Sequence, residues 1–357
     1  MSATLKKLFV IIVAFAAIGS GLWVWWGMHV PYRGYAASVL VTIPPRSNAR
    51  AAAAILAAHG VLRDQAPFLA LYAFGRVEGR SLKAGEYLFD HAQSARDVYG
   101  KLVRGDVYYH LVLIPEGSDR FDMARIFQQK LGLNPGDFLS ATAQADLVRD
   151  LDPQATTLEG YLFPDTYRFP ASATAASVVQ TMVERFRRVM SSRFGQLPGG
   201  SPLHEALTLA SLVEKETPDA AERPEIAGVF LRRLQRGMLL DCDPTVRYAA
   251  RLAADPGDTL DPAPAPITAA EIDSPSPYNT YRHPGLPPGP ICSPGVASID
   301  AALHPSDGDS LYFVSNLHGG HVFARTLREH NRNVARYRRQ RSAAARQESD
   351  ASTGLRR

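Results

Sequence analysis

Between Leu8 and Met28 the chain carries no charged residue, and Lys6 and Lys7 stand immediately before that run. Its length and apolarity suit one helical crossing of a bilayer. Trp23, Trp25 and Trp26, the only tryptophans in the chain, gather at its far end, where indoles sit at the level of lipid headgroups. The positive-inside rule then puts residues 1–7 in the cytoplasm and everything after Met28 outside it. The rival reading is a cleaved signal peptide, for which Ala16, Ala17, Gly19, Ser20 and Gly21 offer small residues near a cut. The apolar run continues past them into the tryptophans, which favours an uncleaved anchor at residues 8–28 of the cytoplasmic (inner) membrane, with the bulk of the chain in the periplasm or extracytoplasmic space.

The whole chain, with 46% hydrophobic and 21% charged residues, has an ordinary globular balance, and its 357 residues are enough for two or three domains. Residues 29–36 read as a linker containing Pro and Gly. Within 37–106 a strand is expected at Ala37–Ile43, helices at Ala49–His59 and Ala66–Phe74, and a returning strand at Gly85–Phe89. Ser94 can cap a further helix that stops at Gly105, and Val107–Ile114 reads as a strand. The strand, helix, helix, strand order makes a small α+β unit. Residues 107–340 form the second domain, with helices expected around Met123–Leu131 and at Ala175–Met190. A Pro/Gly break follows at Leu197–Pro202. Asp219 and Glu222 fit an acidic cap for a helix bearing Ala227, Phe230, Leu231 and Leu234 and ending at Gly237. The Pro/Gly-dense segment Asp261–Gly295 reads as a working loop, followed by a helix at Ser298–Leu303, a strand at Ser310–Val314 and a last helix from about Arg325. Residues 341–357 read as a disordered basic tail.

One segment of the second domain points to chemistry. Ala206–Thr217, ALTLASLVEKET, is almost unbroken apolar sequence that ends in two carboxylates and is stopped by Pro218. Such a helix is buried on most of its circumference and delivers Glu214 and Glu216 to the edge of a core. Burial and the negative end of the helix dipole both raise a carboxyl pKa, which is how a fold prepares a general acid. Glu214 continues the stripe of Leu203, Leu207 and Ala210, and Glu216 that of Leu209, Leu212 and Val213. The two point about 200° apart, so they cannot face one another as an acid/base pair. Helical spacing alone leaves open which is reactive, and the plainer reading exposes both.

Other chemistries find less support. HEALT at His204 lacks the second histidine of a zinc helix, and His318 and His321 in HGGH have no evident third ligand, so no metal and no cofactor is expected. There is no GxSxG elbow and no phosphate-binding loop. Cys242 and Cys292 lie in the oxidising compartment and could form a disulfide; two reduced, buried thiols are the alternative. Tyr278, Asn279, Thr280 and Tyr281 offer aromatic faces and polar partners suited to sugar rings, or simply turn chemistry. The basic excess in Arg325–Arg346 comes without a nucleic-acid-binding motif, so nucleic acid is not an expected partner.

These residues are recognisable in order. IPEG, EGYLFPDTY, SLVEKET, ERPEIAGVFLRRLQRGMLLDCDPTVRYA, SPYNTYRHPGLPPGPICSPG, LHPS and YFVSNLHGGHVFARTLREHN resemble the YceG-like family of membrane-bound endolytic murein transglycosylases. The resemblance runs from the anchor to about Asn333, and within it 37–106 is similar to a LysM-type carbohydrate-binding module, the alternative being a spacer that binds nothing. It implies an α+β chain with a transmembrane helix, a LysM-like βααβ domain, and a mixed α/β catalytic domain holding a buried helix that bears the catalytic glutamate. The Glu-Thr pair of such enzymes maps onto Glu216 and Thr217, which makes Glu216 the acid and Glu214 its support. Glu159, Asp165, Tyr167, Asp241, Asp243, Thr245 and Tyr278 to Tyr281 are carried as supporting or substrate-binding candidates. Asp241 stands where the family usually has Gln, which adds a carboxylate near the cleft.

The activity implied is non-hydrolytic cleavage, inside glycan strands, of the β-1,4 bond between N-acetylmuramic acid and N-acetylglucosamine, leaving 1,6-anhydro ends. Glycan strands are the expected partner, and peptidoglycan synthases are a further one in an enzyme that stops strand elongation. The alternatives are a non-enzymatic peptidoglycan-binding scaffold working through the LysM-like module, and a hydrolase of muramidase type.

Overall fold

The structure is a computed structural model that describes residues 3–195, 201–254 and 267–354. It divides into two compact units, one made of Met1–Leu111 with Arg168–Ala173 and the other of Val112–Tyr167 with Thr174–Arg357. The architecture is mixed α+β with an N-terminal apolar helix. That helix, α1 (Ala3–His29), holds the single stretch among the described residues long and apolar enough to cross a membrane, Lys7–His29.

In the first unit, α1 is followed by β1 (Val39–Ile43), α2 (Ala49–Ala58), α3 (Gln65–Val77), β2 (Gly85–Phe89), α4 (Ala95–Arg104) and β3 (Tyr109–Leu113). β1 and β2 pair antiparallel, Val39 opposite Phe89 and Ile43 opposite Gly85. Strand alternation turns Val41, Ile43, Tyr87 and Phe89 to one face, where they pack with Leu56, Phe68, Val98 and Leu102. Local chemistry fixes the ends of α4. Ser94 and Asp97 form a reciprocal capping box, and Gly105 closes the helix in the left-handed region at φ 77°.

The second unit is mainly helical. It contains the last two residues of β3, α5 (Arg120–Leu131), α6 (Pro135–Thr142), a 3-10 turn at Asp146–Val148, the first two residues of β4 (Thr166–Pro170), α7 (Ala175–Phe194), α8 (Ser201–Glu216), α9 (Arg223–Gln235), α10 (Asp243–Ala253), α11 (Ala269–Ile272), α12 (Val296–Leu303), β5 (Tyr312–Ser315), β6 (His321–Ala324) and α13 (Leu327–Gly354). β3 and β4 form one two-stranded sheet and β5 and β6 another. The latter pair is antiparallel, with Ser315 opposite His321. α8 is the central post. Leu209, Leu212 and Val213 share a core with Ile226, Ala227 and Phe230 of α9, Tyr248 of α10, Ile291, and Ala301 of α12.

Several elements differ from the sequence reading. The segment expected as a disordered tail is helical as far as Gly354, because its run of Ala, Arg, Gln and Glu consists of strong helix formers that continue the helix begun at Leu327. α6, β4, α10, α11 and β6 were not expected. Each is short, and β4 and β6 exist only as partners of other strands. The expected break at 197–202 lies outside the described residues up to position 200, and the start of the Asp261–Gly295 segment lies outside them up to 266.

Candidate active site

The C-terminal turn of α8 separates its two glutamates. Glu214, 5% exposed, is locked in place: Arg223 Nη2 lies 3.1 Å from its Oε1, and Gly295 N donates to its Oε2 at 3.0 Å. It therefore ties the end of α8 to α9 and to the segment leading into α12. Glu216, half-buried, faces the other way, into a cleft of about 480 Å³ lined also by Arg233, Leu240, Asp241, Asp243, Tyr281, Tyr312, Phe313 and His321. Burial pushes its carboxyl up to about 6, the nearby Asp243 charge adds to the rise, and a hydrogen bond from Cys242 and the proximity of His321 oppose it. The bond from Cys242 Sγ to Glu216 Oε1 is 3.1 Å long.

A polar scaffold holds the cleft wall. Cys242 N donates to Thr280 Oγ1 at 3.1 Å, and the Thr245 hydroxyl reaches Cys242 O at 2.6 Å and Thr280 Oγ1 at 2.9 Å. This pins the start of α10 to the Tyr278–Tyr281 segment. Asn279 is spent on that segment itself, donating from Nδ2 to Ile272 O and Ser274 O. Tyr281 donates its hydroxyl to Asp243 Oδ1 at 2.6 Å, so tyrosine and aspartate enter the cleft as a pair. Asp241, held at φ 51°, accepts from Arg233 Nη1 at 3.2 Å. Aspartate is among the residues that tolerate this left-handed conformation best.

Of the expected site residues, the structure gathers Glu216, Asp241, Asp243 and Tyr281 around the cleft, with Cys242, Thr245 and Thr280 behind them. The others lie elsewhere. Asp165 pairs with Arg185 Nε at 2.6 Å, the Tyr167 hydroxyl donates to Phe163 O, and the Tyr278 ring packs on Tyr248. Glu159 is 1% exposed and accepts at Oε2 from Arg120 N and from the Tyr248 hydroxyl. Burial, with the Asp119 charge adding to it, raises its carboxyl well above the ordinary range. Of the two readings of the cysteines, the structure shows the thiols: both are free and buried, with Cys242 against Glu216 and Cys292 Sγ against Ser211 O.

His321, Arg233, Tyr312 and Phe313 are cleft residues that the sequence reading missed. His321 stood there only as half of a metal-like HGGH. Among the described residues no group of three or more metal-ligand types stands together, and Nδ1 of His321 lies 2.7 Å from Glu222 Oε2. The readable signal was the turn NLHGG after a strand, which folds the following residues back beside it.

A larger cleft, about 990 Å³, lies in the first unit along α3 and α4. Its carboxylates are engaged: Glu78 pairs with Arg80, Asp106 with Arg104, and Asp97 completes the cap of α4. It therefore presents no free acid, and the bond-breaking chemistry is better sought around Glu216.

Comparison with known proteins gives the family of the chain. The family model described as the YceG-like family matches residues 41–336. A protein of Bacillus subtilis (strain 168), named endolytic murein transglycosylase, is 30% identical over 84% of this chain and 85% of its own length. A protein of the same name from Streptococcus pneumoniae (serotype 2, strain D39) is 32% identical over 84% of this chain, which spans 58% of that relative's length. Among solved structures, a YceG-like protein of Listeria monocytogenes is similar at a TM-score of 0.52 and 29% identity, covering 83% of this chain and 98% of its own.

Proposed function

The chain belongs to the YceG-like family, and on that premise we propose that it is a lytic transglycosylase that cuts peptidoglycan glycan strands internally, with Glu216 as its acid. The observation that carries the reading is the carboxyl of Glu216, half-buried in the wall of a cleft and raised to about 6, while its helix neighbour Glu214 is consumed by Arg223. Protonated, Glu216 donates to the glycosidic oxygen as oxocarbenium character develops at the muramyl anomeric carbon. The C6 hydroxyl of the same sugar then closes the ring to a 1,6-anhydro end, and the Glu216 carboxylate can take its proton. An intramolecular hydroxyl has a high effective concentration, so no carboxylate nucleophile is required.

Asp243 and Tyr281, already paired, orient sugar hydroxyls in this reading, and Asp241 adds a further acceptor. The first unit serves as a LysM-like glycan-binding module over 37–106, the catalytic domain extends over 107–340, and residues 8–28 anchor the protein in the cytoplasmic membrane with 1–7 inside. Cutting newly made strands beside the membrane would end their elongation, with peptidoglycan synthases as partners. The test uses the full chain in detergent with purified glycan strands and mass spectrometry of the products. Fragments lighter by one water than hydrolysed ends, lost in Glu216→Gln, are expected. Strands bound but not shortened would mean a scaffold, and reducing ends a muramidase.

A further inference from the structure

The cleft contains a second group built to handle a proton. Glu222, at the start of α9, is 17% exposed and receives three donors: His321 N at 2.7 Å, His321 Nδ1 at 2.7 Å and Thr217 Oγ1 at 3.3 Å. Burial acts to raise its carboxyl, but the hydrogen bonds from the His321 side chain and backbone, helped by Thr217, outweigh it and hold the group below the ordinary value. Glu222 is thus an anion with no proton to give, so Nδ1 of His321 is the donor of the pair. The imidazole, 11% exposed, meets Phe313 edge to face at 5.3 Å and lines the cleft together with Glu216. Its Nε2 has no protein hydrogen-bond partner among the described residues, and it is the ring nitrogen left with a lone pair.

A carboxylate holding Nδ1–H of a histidine whose Nε2 faces a reaction space is the arrangement that makes imidazole a general base. Set beside an acid whose environment favours the protonated form, it completes a pair of titratable groups with opposite tasks. We propose that His321 is the base of the reaction, taking at Nε2 the proton of the sugar hydroxyl that closes the anhydro ring. This rests on the transglycosylase reading of the cleft and reassigns only its second half. In the first step the bond from the anomeric carbon to the bridging oxygen breaks, its electron pair stays on that oxygen, and the oxygen takes the proton of Glu216. In the second, O6 bonds to the anomeric carbon and its proton passes to Nε2. Transfer of that proton from the imidazolium to the Glu216 carboxylate restores both groups, and no water is consumed. Thr217, Glu222 and His321 then act together, with Glu222 as the positioning residue.

The informative variant is His321→Asn in the full chain, because the shorter amide can keep the bond to Glu222 while Nε2 is deleted. Turnover on glycan strands is expected to fall roughly a hundredfold, with KM within about twofold, and added imidazole is expected to restore part of it. Glu222→Gln should lower turnover in the same direction, and the double variant should be no worse than His321→Asn alone, as for residues acting as a unit. Turnover within about threefold of the parent, a loss confined to KM, or a loss that imidazole cannot relieve would overturn the assignment. Should His321→Asn melt below the assay temperature, His321→Gln takes the same imidazole assay. Cleavage that survives Glu216→Gln sinks the underlying reading instead, so the two failures are distinguishable.

Discussion

Glu159 and Glu216 are both carboxyls of the second unit raised by burial, and they sit in opposite settings. Glu159 is closed in among Arg120, Tyr248 and Asp119, beside a void of only about 10 Å³, whereas Glu216 stands in the wall of a cleft of about 480 Å³. The more deeply buried acid has no room for a substrate. An elevated pKa marks desolvation, and desolvation serves structure as readily as chemistry. What separates the two is access, together with the number of partners already holding the group: Glu216 has one weak donor, the Cys242 thiol.

The largest effect that tests this contrast is Glu216→Gln, which should reduce cleavage about a thousandfold while leaving the thermal melt close to that of the parent. Glu159→Ala should do the reverse. It strands Arg120 and the Tyr248 hydroxyl, and a loss of about 3 kcal/mol is expected in the melt, with turnover below the melting range little changed. Glu159→Gln preserves an acceptor and should fall within about 1 kcal/mol of the parent at low pH. A carboxyl with a raised native pKa holds its proton more tightly when folded. It therefore subtracts stability as pH climbs from the ordinary carboxyl range, until the native group itself ionises. The Gln variant lacks that penalty and should gain on the parent as pH rises; parallel pH profiles would show that Glu159 is ionised in the fold.

On the cleft side, the active form is the protonated one. Cleavage should fall about tenfold per unit as pH rises beyond about 6. The smallest effects are opposite displacements of that limb. Asp243→Asn removes a negative charge that favours the protonated acid and should move it to lower pH. Cys242→Ala removes a donor that favours the anion and should move it to higher pH. Displacements of the same sign would break the account of how the cleft sets its acid.

Much of the first unit was legible because its signals are local. Ser94 and Gly105 bound α4 as the sequence indicated, since a capping box and a left-handed glycine need nothing beyond their own turn. The apolar run of α8 likewise announced a central helix. What stayed hidden depends on distant partners. α10 begins at Asp243 because Thr245 and Thr280 pin its first turn, and β6 forms because β5 lies beside it. Periodicity could not rank Glu214 against Glu216; the ranking comes from Arg223 and Gly295 N, which neutralise and immobilise the former. His321 was out of reach for the same reason, its partner Glu222 lying far along the chain.

The sulfur beside Glu216 gives this protein a built-in spectroscopic reporter. Burial keeps Cys242 a thiol, its S–H bond points at the carboxyl in question, and the S–H stretch absorbs where proteins are otherwise nearly transparent. The chain has one other cysteine, Cys292, whose S–H points at the Ser211 carbonyl and supplies a reference band. Infrared difference spectra of the unmodified protein can therefore follow gain and loss of the Glu216 proton directly, with no label introduced into the cleft.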